Sequence, residues 1–217
     1  MTKTRREIRN EIRAARNVVD DSVRSQWSQQ ISDSMMRLEA FRRSTKVAAI
    51  LAFDGEANPI RLMVEAIRLD KQVFVPIIVA KAQPLRFAPW NPETELRTNG
   101  LGILEPAVDK SQYIEAEELD FVATPLVAFD ESCNRIGVGG GYYDRTFAFL
   151  NEGVGNSSNF AETGETNGSI SIPKRSVCLA GFAFELQKVD SIETNWWDVP
   201  MDFVVSETSV YERSQGT

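Results

Sequence analysis

The sequence contains no histidine. Every histidine-dependent triad, general base and metal site is thereby excluded. Only two cysteines are present, Cys133 and Cys178. They are too few for a structural zinc site or a disulfide framework, and two thiols in a chain this long fit a reducing compartment, so a cytoplasmic location is expected. Long apolar runs are missing too. The longest, such as Val47 to Phe53, reach about seven residues, against the roughly 20 that cross a bilayer. No apolar segment follows the charged N-terminus as in a signal peptide, and no membrane partner is expected. There is no Gly-Lys pair, hence no P-loop, and the dinucleotide pattern GxGxxG fails because its last glycine falls on Tyr142.

What is present is 217 residues with 42% apolar and 25% charged side chains, enough for one domain with a sizeable core, spanning 1–217. The net charge of −7 argues against nucleic acid as a partner. The charge is unevenly placed: residues 1–46 hold 11 Lys/Arg and 6 Asp/Glu, so a basic segment precedes an acidic body. Within it Ile8, Ile12, Ala15 and Val19 mark one face of a helix, and Arg5, Arg9, Arg13 and Arg16 form a basic stripe beside it. The stripe reads either as a solvated face paired with Glu7 and Glu11 or as a guanidinium clamp for a polyanion. A second helix follows, with Asp20, Asp21 and Ser22 at its start and Val23, Trp27, Ile31, Met35 and Leu38 on its apolar face.

From Lys46 the pattern changes. Apolar runs at 47–53, 72–79, 120–127 and 177–184 predict buried strands, with shorter ones at 85–87 and 202–205, and helices are predicted at 59–69 and 142–150. Strands alternating with helices imply an α/β three-layer sandwich with a mostly parallel sheet, helices on both faces and the basic helix at its N-terminus. In such sheets ligands bind beyond the C-terminal strand ends, which makes the segments 54–58 and 129–141 and the chain from Glu185 onward the functional candidates. Residues 151–174, rich in Gly, Ser, Asn, Thr and Glu, read as a mobile surface loop.

The informative string is Arg135-Ile-Gly137-Val-Gly139-Gly140-Gly141-Tyr142-Tyr143-Asp144-Arg145, between a strand and a helix. Glycines let backbone N–H groups converge on an anion, and Arg135 and Arg145 flank the turn. This describes a phosphate cradle; the plainer reading is a glycine-rich turn with two core tyrosines.

With the preceding Thr124-Pro-Leu-Val-Ala-Phe-Asp130 and Asn134-Arg135-Ile136, this string closely resembles the signature of the 5-formyltetrahydrofolate cyclo-ligases, also called methenyltetrahydrofolate synthetases. Arg5 and Arg9, Phe53-Asp-Gly-Glu56, Gly102-Ile-Leu-Glu-Pro106, Gly181-Phe-Ala-Phe184 and Trp197-Asp-Val-Pro-Met-Asp202 fit further family segments in the same order. The resemblance implies conversion of 5-formyltetrahydrofolate to 5,10-methenyltetrahydrofolate with Mg-ATP, releasing ADP and phosphate. The formyl oxygen attacks the γ-phosphate, N10 attacks the phosphorylated carbon, and phosphate leaves. That chemistry suits a chain without histidine, because phosphoryl transfer rests on positioning and charge neutralisation.

The resemblance assigns ATP contacts to Arg5, Arg9, Arg135, Gly137, Gly139, Gly140, Gly141, Tyr142 and Tyr143, with Arg135, Tyr143 and Glu56 nearest the chemistry. It assigns substrate contacts to Leu51 and Glu56, and Mg²⁺ to Asp144 and Asp198. Each also has a local reading: Glu56 as a helix cap, Asp144 as a first-turn acid, Leu51 as core, Asp198 as a turn residue. A monomer acting on 5-formyltetrahydrofolate is expected. Asn58-Pro59 and Trp197 depart from the usual Asp/Glu-Thr and His of the family. Two other classes fit the residues less fully, another nucleotide or sugar-phosphate enzyme and a non-catalytic folate or anion binder.

Overall fold

The computed structural model describes residues 3–100, 102–152 and 177–214. Helix α1 (Arg5–Asn17) starts from a capping box in which Thr4 and Glu7 satisfy each other's backbone N–H. It ends before Val18, so Val19 drops off the expected apolar face. Helix α2 (Asp21–Met35) is capped by Asp20, whose carboxylate accepts the Ser22 N–H at 2.8 Å. A short α3 (Glu39–Arg43) leads into β1 (Lys46–Ala48). Then follow α4 (Ile60–Arg68), β2 (Gln72–Ile77), β3 (Arg86–Pro89), β4 (Leu96–Thr98), β5 (Leu104–Pro106), β6 (Phe121–Thr124), β7 (Ala128–Phe129) and β8 (Arg135–Ile136). The chain continues through α5 (Tyr142–Thr146), α6 (Phe149–Glu152), β9 (Cys178–Phe182), β10 (Phe203–Val205) and β11 (Val210–Glu212).

Seven of these strands form one sheet in the order β11-β10-β9-β6-β1-β2-β3. Strands β10, β9, β6, β1 and β2 are mutually parallel, and β3 and β11 close the two edges antiparallel. The apolar runs are continuous because the sheet is buried on both faces. Val47, Val73, Val75, Phe121, Ala123 and Phe182 face α2, α3 and α4, where they meet Ile31, Met35, Phe41 and Leu62. Their neighbours Ala48, Phe74, Val122, Leu179 and Val204 face the other way, onto Phe87, Phe129, Phe147 and Met201. The expected three-layer α/β architecture is the one observed.

Numbered by their order along the chain, the five parallel strands lie 2-1-3-4-5, so the strand order reverses between β1 and β6. That reversal opens a crevice at the C-terminal strand ends. Two expected strands stop short to form its walls. After Ala49, whose N–H still reaches Phe74 O at 3.1 Å, residues 50–53 leave the sheet. Strand β6 ends at Thr124, before Pro125, which has no N–H to donate. The helix expected over 142–150 is two short ones, and Asn151, expected to begin a loop, instead lies in α6. The rest of that expected loop, from residue 153, lies outside the described residues. Cys133 and Cys178 are not joined to each other, and burial pushes the Cys133 thiol up to about 11.

Outside the sheet, β7 and β8 pair antiparallel. Ile8 and Ile12 of α1 pack on this hairpin with Val127, Ala128, Ile136 and Ile192. This docking carries the arginine stripe to the loop that follows β8.

Candidate functional site

The wall beyond β1 is built by a tight turn. Asp54 (φ 51°) and Gly55 (φ 69°) both occupy the left-handed region, which Asp and Gly tolerate best. The turn is held from α1, which α2 braces in its own right. Arg16 Nη2 donates to Asp54 O at 2.6 Å, and Arg24 Nη1 donates to Arg16 O at 3.3 Å. The departure Asn58-Pro59 has a local role: Asn58 N–H donates to Ser28 Oγ at 3.0 Å and Asn58 Oδ1 accepts the Ile60 N–H, starting α4. The turn brings Glu56 to the crevice, where Oε2 accepts the Phe53 N–H at 3.2 Å. Burial raises the Glu56 pKa, against the opposing pull of that N–H and of Arg16.

The opposite wall is the glycine string. Gly139 (φ 110°) and Gly141 (φ 63°) need conformations that L side chains rarely adopt. A Cβ at Gly140 would lie 2.8 Å from the Tyr142 ring. Arg145 lies across the string: Nη2 donates to Gly140 O at 2.6 Å and the guanidinium sits 5.2 Å from the Tyr142 ring centroid. From α1, Arg9 Nε donates to Gly137 O at 2.8 Å.

Arg135 and Asp144 close the string from inside, with Arg135 Nη2 2.6 Å from Asp144 Oδ1. The same oxygen accepts the Val199 N–H at 3.2 Å, and Arg135 Nη1 donates to Val199 O. Asp198, one residue earlier, is ion-paired with Arg5, whose Nη2 also donates to Glu193 O at 2.7 Å. Burial acts to raise the Asp198 pKa, but Arg5 and the Asn195 N–H outweigh it and hold the carboxyl below its usual range. Tyr143 stacks on Phe147 at 6.0 Å, and burial pushes its phenol up, with the nearby Glu56 charge adding to the effect.

Between the walls lies a cavity of about 340 Å³. Leu51, Glu56, Arg135, Gly137, Gly140, Gly141, Tyr142, Tyr143 and Asp144 line it, so most of the candidate residues come together on one cavity. Arg5, Arg9, Gly139 and Asp198 are not in its wall. Arg9 joins it through Gly137, and Arg5 and Asp198 through the Val199 segment.

Four charged wall residues carry no ligand assignment from the sequence: Arg13, Arg16, Asp54 and Glu105. Arg13 and Arg16 belong to the basic stripe, but nothing in their spacing distinguishes them from Arg5 and Arg9, which stay outside the cavity wall. Glu105, part of Gly102-Ile-Leu-Glu-Pro106, is buried and accepts from Ile78 N–H at 3.0 Å and Asn99 Nδ2 at 2.9 Å. Among the described residues no cluster of three or more Asp, Glu or Cys could hold a metal by protein ligands alone.

A mostly parallel open sheet with an arginine-flanked glycine string at its switch point defines an α/β protein whose crevice lies at the C-terminal strand ends. Comparison with known proteins narrows the class. The sequence matches the 5-formyltetrahydrofolate cyclo-ligase family over residues 1–207. It is 31% identical to the 5-formyltetrahydrofolate cyclo-ligase of Haemophilus influenzae over 201 residues, 92% of this chain and 96% of that protein. The Escherichia coli K12 enzyme of the same name is also 31% identical, over 93% of this chain and 99% of that one. In fold, the chain is similar to the 5,10-methenyltetrahydrofolate synthetase of Aquifex aeolicus, with a TM-score of 0.74 at 24% identity over 98% of this chain and 94% of that one. The synthetase from Mycoplasma pneumoniae gives 0.67 at 19%, over 94% and 99%. The chain belongs to the 5-formyltetrahydrofolate cyclo-ligase family and is an enzyme, a ring-forming ligase.

Proposed function

We propose that this enzyme converts 5-formyltetrahydrofolate to 5,10-methenyltetrahydrofolate with Mg-ATP, releasing ADP and phosphate through a phosphorylated formyl intermediate. The observation that carries the reading is the 2.8 Å contact of Arg9 Nε with Gly137 O, which joins the α1 stripe to the cradle beside a largely apolar cavity. Arg5, Arg9 and Arg135 then face one polyanion together. Guanidinium groups bind phosphate oxygens bidentately and carry their charge at any working pH. Backbone N–H groups of the glycine string supply further donors where charge develops during transfer.

The carboxylates fit a magnesium ion. Asp144 and Asp198 offer only hard oxygen donors, and Mg²⁺ is usually held by one or two carboxylates together with phosphates and water. Each carboxylate is already positioned beside a proposed phosphate-binding arginine, Asp144 by Arg135 and Asp198 by Arg5. When bound, the ion would neutralise phosphate charge. The protein's own contribution is placement. Glu56 accepts pterin N–H groups, Leu51 and its apolar neighbours cover the ring system, and Tyr142 and Tyr143 close the cavity against water. Holding the formyl oxygen and the γ-phosphate together replaces a bimolecular encounter. A cytoplasmic monomer acting on this one folate completes the reading.

The test is direct. Purified protein is mixed with 5-formyltetrahydrofolate and Mg-ATP while the near-ultraviolet absorbance of the methenyl product and free phosphate are followed. Equimolar appearance of both is expected. Phosphate without methenyl product, or neither, overturns the proposal.

A further inference from the structure

Arg16 sits where an ordinary member of a surface stripe would not. Its side chain is 3% exposed, yet it lines the cavity together with Glu56. Of the five N–H donors in a guanidinium fork, the described contacts use one for a hydrogen bond, Nη2 to Asp54 O. The Asp54 carboxylate is a further 3.7 Å ion pair. Arg16 Nε is buried with no hydrogen-bond partner. Such a group normally has an explanation, since an unpaired buried donor is costly.

Glu56 does not supply it. The two groups are close enough for the Arg16 charge to act on the Glu56 carboxyl. No ion pair joins them among the described contacts, in which Glu56 accepts from Phe53 and Arg16 donates to Asp54. An acceptor and a donor therefore stand side by side on one wall, each with capacity left. That is the complement of a ring edge carrying N–H donors next to a carbonyl.

We propose that Arg16 is a second recognition residue of the cavity, donating to the 4-oxo group of the pterin while Glu56 takes the adjacent N3–H and 2-amino group. The inference rests on the reading of this cavity as the reduced-folate site. It gives Arg16 a role beyond holding the Asp54-Gly55 turn. A site built around a donor rejects a ligand that presents a donor in place of the acceptor, because both groups are then left unpaired.

The experiment compares equilibrium binding of 5-formyltetrahydrofolate and its 4-amino-4-deoxy analogue, by calorimetry, to the wild-type protein and to Arg16→Gln. Wild type is expected to favour the 4-oxo ligand by at least about tenfold, and Arg16→Gln to narrow the preference to less than about threefold. A purely structural arginine would weaken both ligands equally and leave the ratio unchanged, and that result overturns the proposal. So does a wild-type protein that does not distinguish the two. If Arg16→Gln does not fold, Arg16→Met keeps the length of the side chain without any donor, and an unaltered preference there overturns the proposal in the same way. Failure of wild type to bind 5-formyltetrahydrofolate at all is a different result, which removes the functional reading itself.

Discussion

Arg9 Nε lies 2.8 Å from Gly137 O, a contact between residues 128 apart in the chain. The contact exists because Ile8 and Ile12 bury themselves on the β7–β8 hairpin, and Arg9 follows Ile8 by one position, at the margin of that apolar face. One amphipathic helix thus does two things. Its apolar face covers the hairpin, and its basic flank brings Arg9 to the glycine string beside Arg135 and Arg145.

The first prediction follows from that division. Arg9→Ala should raise the KM for ATP by about tenfold or more, the scale of a lost hydrogen bond to a charged group, with the KM for the folate nearly unchanged. The point variant is cleaner than deleting residues 1–10, which also removes Ile8 and loosens the hairpin. Steady-state kinetics with each substrate varied in turn decide it. Equal rises in both KM values would assign Arg9 a packing role.

A second prediction separates scaffold from site. A Cβ at Gly181 in β9 would stand 2.8 Å from Leu126 Cδ2 and 3.1 Å from Val204 Cγ2, inside the packed sheet. Gly181→Ala should therefore destabilise the fold by about 1–3 kcal/mol, the usual cost of overpacking, with KM values kept in the folded fraction. Gly140→Ala meets only the Tyr142 ring, at 2.8 Å. It should show the reverse, an ATP defect with little change in the urea midpoint. A stable Gly181→Ala protein would contradict the packing argument.

These two glycines also mark what could be read from the sequence. The central strands were legible because burial on both faces demands continuous apolar runs, and Gly181 lies inside one. The glycine turn was legible because four glycines in five positions mark a backbone that other residues cannot follow, and Gly139 and Gly141 do take positive φ. The two small hairpins were not. Leu96, Arg97 and Thr98 of β4 are all exposed, so no alternation marks them, and β7 and β8 are two residues each. Nor could the sequence say where β1 ends, since residues 50–53 are as apolar in the cavity wall as they would be in a strand. Arg16 was visible as a stripe member, but its burial depends on the Asp54-Gly55 turn, which reaches it from 38 residues away.

The third prediction concerns pH. Burial holds the Glu56 pKa above the usual glutamate range, so the folded protein binds this proton more tightly than the unfolded chain. Its contribution to stability is therefore greatest at low pH and declines as pH rises through the raised pKa. Folate binding runs the other way, because only the carboxylate accepts two pterin N–H groups. Glu56→Gln should remove the acid limb of kcat/KM for the folate and weaken folate use by about 1.5–3 kcal/mol. It should also make the folded protein more stable than wild type at alkaline pH. An unchanged acid limb in Glu56→Gln would place the controlling group elsewhere.

The last prediction concerns the two carboxylates proposed for magnesium, which differ in what holds them. Asp144 is tied to Arg135, whose side chain is 5% exposed. Removing its charge leaves a buried guanidinium without its ionic partner, a change that costs about 3–5 kcal/mol when a buried pair is broken outright. Asp198 is tied to Arg5, whose side chain is 31% exposed and can return to water. Asp144→Asn should thus weaken the use of Mg²⁺ and lower the melting temperature, whereas Asp198→Asn should weaken the use of Mg²⁺ with a much smaller loss of stability. In both variants the Mg²⁺ concentration for half-maximal rate should rise and kcat should fall, with folate binding in the absence of ATP retained. A Mg²⁺ titration of each variant, run beside thermal unfolding without nucleotide, checks the pair. Wild-type Mg²⁺ dependence in Asp198→Asn would leave that residue as the partner of Arg5 alone. The same result in a destabilised Asp144→Asn would make Asp144 the anchor of Arg135 and not a metal ligand.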